Sequence, residues 1–395
     1  MPYTGRSPYT DGTPPRKSLG ACGDHGLHIR WIAASDREAA RREWERLEAR
    51  LPGCGLASSW TWTRTWLQHY GDLVPHRFAV AEADGSPRGI ALLTRGVGRR
   101  RGPFPIRTIH VGTAGEPQEE SVYVEYNRVL VDAGARDSFA AALIGELRRE
   151  RDWDELVLDG FDPEHAGAFL AASPRLEAAP ALCPVADLRA AREAGGDVLA
   201  TLRPSTRRKV RRGLRGLGAV ETEWAESPAH ALDILDELIA LHQERWRRTD
   251  LPGAFASDRF TSFHRDLVPR LVPRGAVVLF RVRAAGATVG CLYSFVEDGR
   301  VLFYQSGLAP QRDSEIRPGF IAHGLCMQEC SDRGLGEYDF LAGDARYKDE
   351  LSTGHRELVW ATWHRRTPRG RLIDGAVRLR TRAAAMRRGS AADRA

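Results

Sequence analysis

The feature of the sequence that most restricts its fold is an order of elements that occurs twice. In the second half of the chain, apolar patterns predict helices, a meander of three strands over 276–307, a further helix, a strand and a closing strand. The first half, from Leu27 to about residue 165, gives a weaker version of the same order. Such a repeated order is typical of an internal duplication. We therefore expect an α/β protein built from two related units.

The length and the apolar content set the size of what this chain can build. Its 395 residues give room for two packed domains, and 42% of them are apolar. No run approaches the ~18 consecutive apolar residues of a membrane-spanning helix. The first 25 residues carry no apolar segment of the kind that a secretory signal needs. We therefore expect a soluble, cytoplasmic protein without a membrane span.

The pattern divides the chain into five regions. Turn-forming residues without apolar periodicity predict a disordered N-terminus, and a stretch rich in Ala and Pro separates the two units. The C-terminal region has only a thin apolar face, so its composition favours a solvated basic helix over membrane docking. The expected regions are 1–26 for the disordered N-terminus, 27–165 for the first unit, 166–203 for the connecting segment, 204–365 for the second unit and 366–395 for the basic tail.

The cysteines and the basic residues exclude some partners and leave others open. The six cysteines are scattered without C-x-x-C pairs or Cys/His clusters at zinc-ligand spacing, so no metal site is expected. A net charge of +6 permits an anionic partner without identifying one. Of the 58 basic residues only Lys17, Lys209 and Lys348 are lysines. Because lysine is a compact point charge and arginine a planar fork, the last two are candidates for cations with a specific role.

Four segments carry a resemblance to a known family. They are SSWTWTRTW at 58–66, STRRKVRRGLRGL at 205–217, LHQERW at 241–246 and the segment 302–348, which contains LFYQSG and YDFLAGDARYKDE. Together they resemble the CelD/BcsL family of acetyltransferases, which is associated with cellulose biosynthesis and is similar in fold to the Fem-type aminoacyltransferases of peptidoglycan synthesis. The repeated order of elements likewise resembles two acyl-CoA N-acyltransferase (GNAT) units. The resemblance implies a tandem GNAT fold, with mixed central sheets flanked by helices.

The resemblance also implies an activity. It points to an acyltransferase that moves an acetyl or other acyl group from acyl-CoA, acetyl-CoA in the first place, to an amine or hydroxyl of a cell-envelope or exopolysaccharide precursor. The acceptor would be a small molecule or a glycan precursor that can bear phosphate. Two alternatives stay open: a Fem-like enzyme that uses aminoacyl-tRNA, and a non-catalytic tandem GNAT module that binds an anionic partner.

GNAT folds hold the pantetheine arm of the donor where two adjacent parallel strands part, and the resemblance places these strands at 300–307 and 336–341. The donor pyrophosphate rests on the N-terminus of the intervening helix, where free N–H groups and the helix dipole favour anions. This helix begins at Pro318-Gly319, with Arg317 just before it, and glycine lets a ligand approach the backbone closely. The Gly-rich R/Q-x-x-G-x-G/A loop usual in GNAT enzymes is absent, which also fits another activated acyl donor or an ordinary helix start.

Three candidate catalytic residues follow the second of these strands. By resemblance to GNAT enzymes, Tyr347 can protonate the departing thiolate. By resemblance to Fem-type enzymes, Lys348 can stabilise the oxyanion of the tetrahedral intermediate, a task that suits a point cation in a dry slot. Asp344 can orient Lys348 or accept the proton of the attacking group. The alternative is a solvated ion-pair cluster in the loop.

Further candidates lie on the preceding elements. His242 is either a satisfied core residue or a general base, since its pKa is ordinarily near neutrality. Tyr304 and Gln305 come at the end of a strand and can line the acceptor pocket, although alternation on a strand allows only one of them to do so.

The basic segment 205–217 is the last candidate. Arg207 and Arg208 open a run of cations that is either a solvated helix face or a clamp for phosphate groups on the acceptor. In the second case, replacing both should raise the acceptor KM. No aromatic residues interleave with these cations for base stacking, so nucleic acid binding is not favoured as the main role and no DNA partner is expected.

Overall fold

The structure, a computed structural model, describes residues 26–370 and Ile373, apart from residues 52, 124, 312 and 314. The predicted disordered N-terminus, Gly26 excepted, and most of the predicted basic tail lie outside these residues. The elements of the first half are β1 (His28–Ala33), α1 (Arg37–Glu48), α2 (Trp60–Tyr70), β2 (His76–Ala83), β3 (Ser86–Arg95), β4 (Arg100–Arg101), β5 (Phe104–Pro105), β6 (Thr108–Val111), β7 (Leu130–Val131), α3 (Arg136–Arg149), β8 (Glu155–Phe161) and α4 (Pro163–Ala172).

The second half continues the same alternation. Its elements are β9 (Glu177–Asp187), α5 (Leu188–Glu193), α6 (Val198–Thr201), α7 (Pro204–Leu217), β10 (Val220–Trp224), α8 (Pro228–Arg247), α9 (Asp258–Leu271), β11 (Val277–Ala284), β12 (Ala287–Glu297), β13 (Arg300–Leu308), α10 (Pro318–Asp332), β14 (Glu337–Asp339), α11 (Arg346–Leu351) and β15 (Gly354–His364). The α/β prediction is confirmed.

Local sequence explains several of these elements. The Asp84-Gly85 turn joins β2 and β3 with φ angles of 50° and 71°, the left-handed pair that a two-residue hairpin turn requires. Helix α2 begins after Ser59, whose side chain accepts a hydrogen bond from the Trp62 N–H at 3.1 Å. Trp62 and Trp66 then fall on one face of the helix and are buried in the core, as their four-residue spacing predicts.

The strands form one mixed sheet rather than the separate sheets of two units. Its order is β1-β2-β3-β6-β8-β15-β9-β14-β13-β12-β11-β10, with β7 also paired to β3, while β4 and β5 form a separate hairpin. One face is covered by a single core under α1, α2, α8 and α9 that spans both halves. The other face carries two cores, one under α3 and α4 and the other under α7 and α10. The two halves of the chain therefore form one continuous layer.

The last strand explains this continuity. β15 belongs to the second half in the sequence, but it pairs antiparallel with β8 of the first half, from Val359 opposite Phe161 to His364 opposite Glu155. On its other side it pairs with β9. Residues 166–203, expected as a connecting segment, contain the end of α4, the long strand β9 and the short helices α5 and α6.

Candidate functional site

Strands β13 and β14 run parallel and part after three residue pairs. Their ladder joins residues 300–302 to residues 337–339, while β13 continues to Leu308. Beyond β14 the chain follows β9 instead, since the Phe340 N–H donates to the Pro184 carbonyl at 2.9 Å. The two strands therefore part after Leu302 and Asp339, within the ranges 300–307 and 336–341 expected for the donor slot.

A β-bulge marks the start of the slot. Ser294 of β12 lies opposite Phe303 and Tyr293 opposite Gln305, so Tyr304 is the extra residue. A bulge of this kind redirects the side chains around it. Phe303 packs against the His323 ring of α10 at 4.5 Å, whereas Tyr304 lies among the aromatic rings under α8 and α9. The bulge thus gives the slot one wall on each face of the sheet.

The first half contains a matching pair of parallel strands whose gap is already filled. Strands β6 and β8 pair at Thr108–His110, and β8 then continues to Phe161. Asn127 lies between them: its Nδ2 donates to the Val111 carbonyl at 3.0 Å, and its backbone N–H donates to the Gly160 carbonyl at 2.9 Å. A Cβ on Gly112 would lie only 2.7 Å from the Asn127 side chain, so the fit is tight. In the second half, no backbone hydrogen bond of the described residues bridges the gap between β13 and β14 in this way.

The segment 121–127 of the first half crosses to the slot of the second half. The Tyr304 hydroxyl donates to the Val122 carbonyl at 2.6 Å, and the Ala342 N–H donates to a Glu125 carboxylate oxygen at 3.0 Å. The Tyr126 hydroxyl donates to the Asp339 carboxylate. The alternating pattern of SVYVEYNRVLV predicts a strand here, but among its described residues only Leu130–Val131 form one. The prediction was wrong for Glu125 and Tyr126, because their side chains bond to the chain around β14 instead.

Lys348 holds the loop at the end of β14. Its Nζ donates to the Ala342 carbonyl at 2.7 Å and to the Leu341 carbonyl at 3.2 Å. Leu341 has a φ angle of 58°, and its N–H donates to the Asp339 carboxylate at 2.7 Å. Burial lowers the pKa of Lys348, while the nearby Glu125 opposes this shift. The site thus contains a partly desolvated cation, Lys348, bound to the turn at Leu341 and Ala342.

Two acidic groups accompany Lys348. Burial raises the pKa of Glu125 to about 7, against the Ala342 hydrogen bond and the charge of Lys348, which both lower it. Burial also raises the pKa of Asp339 to about 6, although hydrogen bonds from Tyr126 and the Leu341 N–H favour its charged form. Both pKa values are therefore close to neutral pH, as acid–base catalysis requires.

Tyr347 lies on the α10 side of the slot. Its ring stacks on His323 with the centroids 5.7 Å apart, and Phe340 is 6.4 Å away. Burial raises the pKa of Tyr347 to about 12, and burial lowers the pKa of His323 to about 3. Tyr347 therefore keeps its proton and His323 stays neutral at physiological pH. The two neighbours Tyr347 and Lys348 face different parts of the site.

The N-terminus of α10 lies beside the far end of β13. A Cβ on Gly319 would lie 3.2 Å from a Leu308 methyl group. The Arg317 guanidinium carbon is 5.8 Å and the Lys209 Nζ 5.4 Å from the centre of the Phe320 ring, so two cations flank the first turn. Helix α7 reaches this position because Gly213 permits close packing: a Cβ there would lie 2.7 Å from Ile321.

Three of the other predicted residues lie apart from Lys348, and the fourth, Asp344, is near enough for its charge to raise the pKa of Lys348. His242 is buried, and both ring nitrogens have partners, Gln243 at 3.0 Å and the Trp246 N–H at 2.8 Å. Asp344 is exposed and makes no side-chain hydrogen bond within the part of the chain that the structure describes. Arg207 donates to the Ala200 carbonyl at 3.1 Å, and Arg208 is exposed on the same helix, which packs on α10.

One small cleft opens beside Lys348 on the α8 and α9 side of the sheet. Its walls include Trp62, Tyr123, Glu125, Tyr304 and Leu341, and we name it the Glu125 cleft. Tyr304 lines it and Gln305 does not. Sequence reasoning missed Glu125, because nothing local distinguishes it from a strand residue. Asp339 was detectable as an acidic residue inside the apolar strand YDFLAG.

Comparison with known proteins identifies the fold. A family model described as an acetyltransferase (GNAT) domain matches residues 202–349. The crystal structure of FemX superposes with a TM-score of 0.56 at 11% sequence identity, over 88% of this chain and 99% of FemX. The structure of L-PGS from Bacillus licheniformis gives a TM-score of 0.52 at 11% identity, over 89% of this chain and 98% of that protein. No curated protein sequence matches.

These findings confirm the tandem GNAT fold and place a GNAT domain in the second half of the chain. The finer resemblance to the CelD/BcsL family stays a prediction. Within the described ranges, no helix is long and apolar enough to cross a membrane. The same residues contain no group of three His, Cys, Asp or Glu side chains that could hold a metal ion.

Proposed function

We propose that this protein is an acyltransferase that moves an acyl group from acyl-CoA to a nucleophile on a cell-envelope or exopolysaccharide precursor. The observation that carries the proposal is the parting of β13 and β14, with Lys348 at the end of the gap between them. The equivalent gap in the first half is filled by Asn127. The class of acceptor follows from the CelD/BcsL resemblance.

The residues around the slot fit an acyl-CoA. The edge of β13 beyond Leu302 no longer pairs with β14, so its backbone groups can pair with the amides of a pantetheine arm. The first turn of α10 offers free N–H groups to a pyrophosphate, and Arg317 adds positive charge there, whereas the nearby Lys209 is paired with Glu350. The donor would supply an acyl group activated as a thioester.

The side chains at the slot divide the chemistry between them. Two of the three Lys348 N–H groups hold the loop carbonyls, which leaves one to face the oxyanion that forms on the acyl carbon. Tyr347 retains its proton, because burial raises its pKa to about 12. We assign it a hydrogen bond to the departing sulfur, since so weak an acid favours donation over complete proton transfer. Asp344 and His242 have no part in this scheme.

A second donor deserves testing because the loop before α10 lacks the Gly-rich sequence usual in GNAT enzymes. Acetyl-CoA at 100 times its Kd should stabilise the native protein by about 2.7 kcal/mol and raise the Tm measurably, whereas aminoacyl-tRNA should not. Thermal unfolding of the full chain with each donor makes this comparison. A Tm shift with aminoacyl-tRNA alone would favour the Fem-like alternative, and no shift with either donor would favour a non-catalytic module.

Arg317 offers a sharper test of the donor site. Its guanidinium pairs with no carboxylate in the described part of the chain, so its charge is available to the donor. We expect Arg317→Gln to weaken acetyl-CoA binding about tenfold, the scale of one charged hydrogen bond, and to leave the Tm unchanged. Calorimetric titration measures the Kd.

Arg175→Gln is the matched control, because Arg175 is exposed in the loop between α4 and β9, in the first half of the chain. An unchanged Kd for Arg317→Gln would remove the N-terminus of α10 from the donor site. A change in the Arg175 variant as large as that in the Arg317 variant would show a diffuse charge effect instead.

A further inference from the structure

We propose that the first half of the chain contains a second binding site, separate from the donor site, for a small molecule that carries a diphosphate group. The site is a cavity where β3 ends and β6 begins, beside the β4–β5 hairpin. None of its residues takes part in the acyl-transfer scheme, so the inference does not depend on the proposed function.

A basic segment without acidic residues forms this part of the chain. Residues 95–107 read RGVGRRRGPFPIR, which is five arginines and three glycines in 13 positions. No Asp or Glu occurs between Asp84 and Glu116. The β4–β5 hairpin has only two residue pairs, so its pairing does not require so many arginines. Neither the fold nor the acyl-transfer scheme accounts for this density of positive charge.

The cavity has the size and the lining of a site for an anionic small molecule. Its volume of about 340 Å³ lies within the range of small-molecule sites. Thr108 lines it with a side chain that is 1% exposed and whose hydroxyl has no hydrogen-bond partner among the described residues. The described lining contains no Asp or Glu. It contains four arginines, for which we name it the arginine cavity: Arg95, Arg99, Arg100 and Arg107.

Carboxylates outside the lining hold two of these arginines and leave some of their donors free. The Arg99 Nε lies 3.0 Å from a Glu155 carboxylate oxygen. Arg107 donates to the Asp154 carboxylate through Nε at 3.2 Å and through Nη2 at 3.0 Å. Because a guanidinium carries five N–H groups, both side chains keep further donors for a ligand.

Positive charge stays in excess around the arginine cavity. Arg100 is exposed, donates to the Pro103 carbonyl and pairs with no carboxylate of the described residues. Around it, five further arginines share four carboxylates. The arginines are Arg77, Arg95, Arg99, Arg107 and Arg369, and the carboxylates are Glu150, Asp152, Asp154 and Glu155. This excess favours a ligand with more than one negative charge.

The turn at Gly98 adds backbone donors to the guanidinium groups. Gly98 has a φ angle of 80°, in the left-handed region that favours glycine. Neither its N–H nor that of Arg99 donates to a carbonyl of the described residues. Successive free N–H groups of a turn form concavities that bind anions, and arginine pairs with phosphate through parallel hydrogen bonds. Since the donors are spread over the turn, β3 and β6, a diphosphate engages more of them than a single phosphate.

The arginine cavity and the gap between β13 and β14 lie at the same edge of the sheet. From β6 to β13 the pairings are parallel, three times antiparallel and again parallel, so β6 and β13 run in opposite directions. The beginning of β6 and the end of β13 therefore share an edge. They are five strand spacings apart, or about 24 Å, so both sites can be occupied together.

The test is calorimetric titration of the full chain with pyrophosphate and with UDP, in saturating acetyl-CoA so that the donor site is filled. We expect both probes to bind, inorganic phosphate to bind at least tenfold more weakly, and uridine not to bind. Arg100→Gln should weaken pyrophosphate binding about tenfold, the scale of one charged hydrogen bond. If acetyl-CoA itself does not bind, the proposed function fails, and the same comparison without it still tests the arginine cavity.

Arg283→Gln is the matched control. Arg283 also donates to a carbonyl three positions later in a hairpin, that of Gly286 at 3.0 Å, but it lies on β11, seven strands from β6. This variant should bind pyrophosphate like the native protein, and unchanged Tm values show that both variants are folded. The inference is overturned if neither probe binds, if Arg100→Gln leaves the Kd unchanged, if both variants lose affinity equally, or if acetyl-CoA displaces pyrophosphate.

Discussion

Replacing Lys348 by arginine should lower the kcat for acyl transfer by about 10², the loss seen when one oxyanion donor is removed from an active site. Arginine keeps the positive charge, but its planar fork cannot donate from one nitrogen atom both to the two loop carbonyls and to the proposed oxyanion. Nζ lies 2.7 Å from the Ala342 carbonyl and 3.2 Å from that of Leu341, in a space that burial has largely closed to water. Thiol release from acetyl-CoA with glucosamine measures the rate.

Arg346→Lys provides the reverse exchange two positions away. The Arg346 side chain is 89% exposed and pairs with Glu350 at the surface, so Arg346→Lys should not change the kcat for acyl transfer. The donor Kd should be the same in both variants, since the effect belongs to the transition state. Full activity of Lys348→Arg would show that Lys348 only fastens the loop.

Replacing Glu297 by alanine should have the largest effect on stability, with a loss of about 3–5 kcal/mol in the free energy of unfolding. The Glu297 side chain is 4% exposed, and its carboxylate pairs with the Arg128 and Arg300 guanidiniums, each 14% exposed. Without it, two cations remain in a desolvated position and the Leu56 N–H loses its acceptor. Urea unfolding monitored by tryptophan fluorescence gives the free energy.

The exposed pair of Glu244 and Arg248 is a suitable comparison for this loss. Their side chains are 42% and 56% exposed, so Glu244→Ala should cost less than about 1 kcal/mol. An equally small effect for Glu297→Ala would mean that water reaches the Arg128 and Arg300 charges. The connection between the two halves would then depend on apolar packing instead.

The sequence predicted best where local pattern decides the structure. The hairpin at Asp84-Gly85, the tryptophan face of α2 and the start of α10 all follow from residues close together in the chain. The parting strands were predicted from a resemblance carried by four segments, of which 302–348 contains most of the first strand and all of the second. Lys348 came from the same resemblance and from the rarity of lysine, and the structure places it at the end of the slot.

The missed features depend on contacts between distant parts of the chain. Glu125 meets Ala342 across 217 positions, and no local periodicity encodes that contact. Strand β9 was missed because Pro180 and Pro184 suggest a break. The Pro184 carbonyl faces the β14 side of β9. By alternation, the positions at which both prolines lack an N–H group also face that side, so the pairing of β9 with β15 is not interrupted. Composition alone cannot reveal such an orientation.

The position of β15 between β8 and β9 determines when the protein can finish folding during its synthesis. β8 ends at Phe161 and its partner β15 begins at Gly354, 193 positions later in the chain. At about 5–20 residues per second, a ribosome needs about 10–40 s to cross it. Throughout that time β8 presents an unpaired edge, the kind of surface that recruits foreign strands. Native assembly therefore waits for the C-terminal region to emerge, and the first half cannot mature ahead of the second.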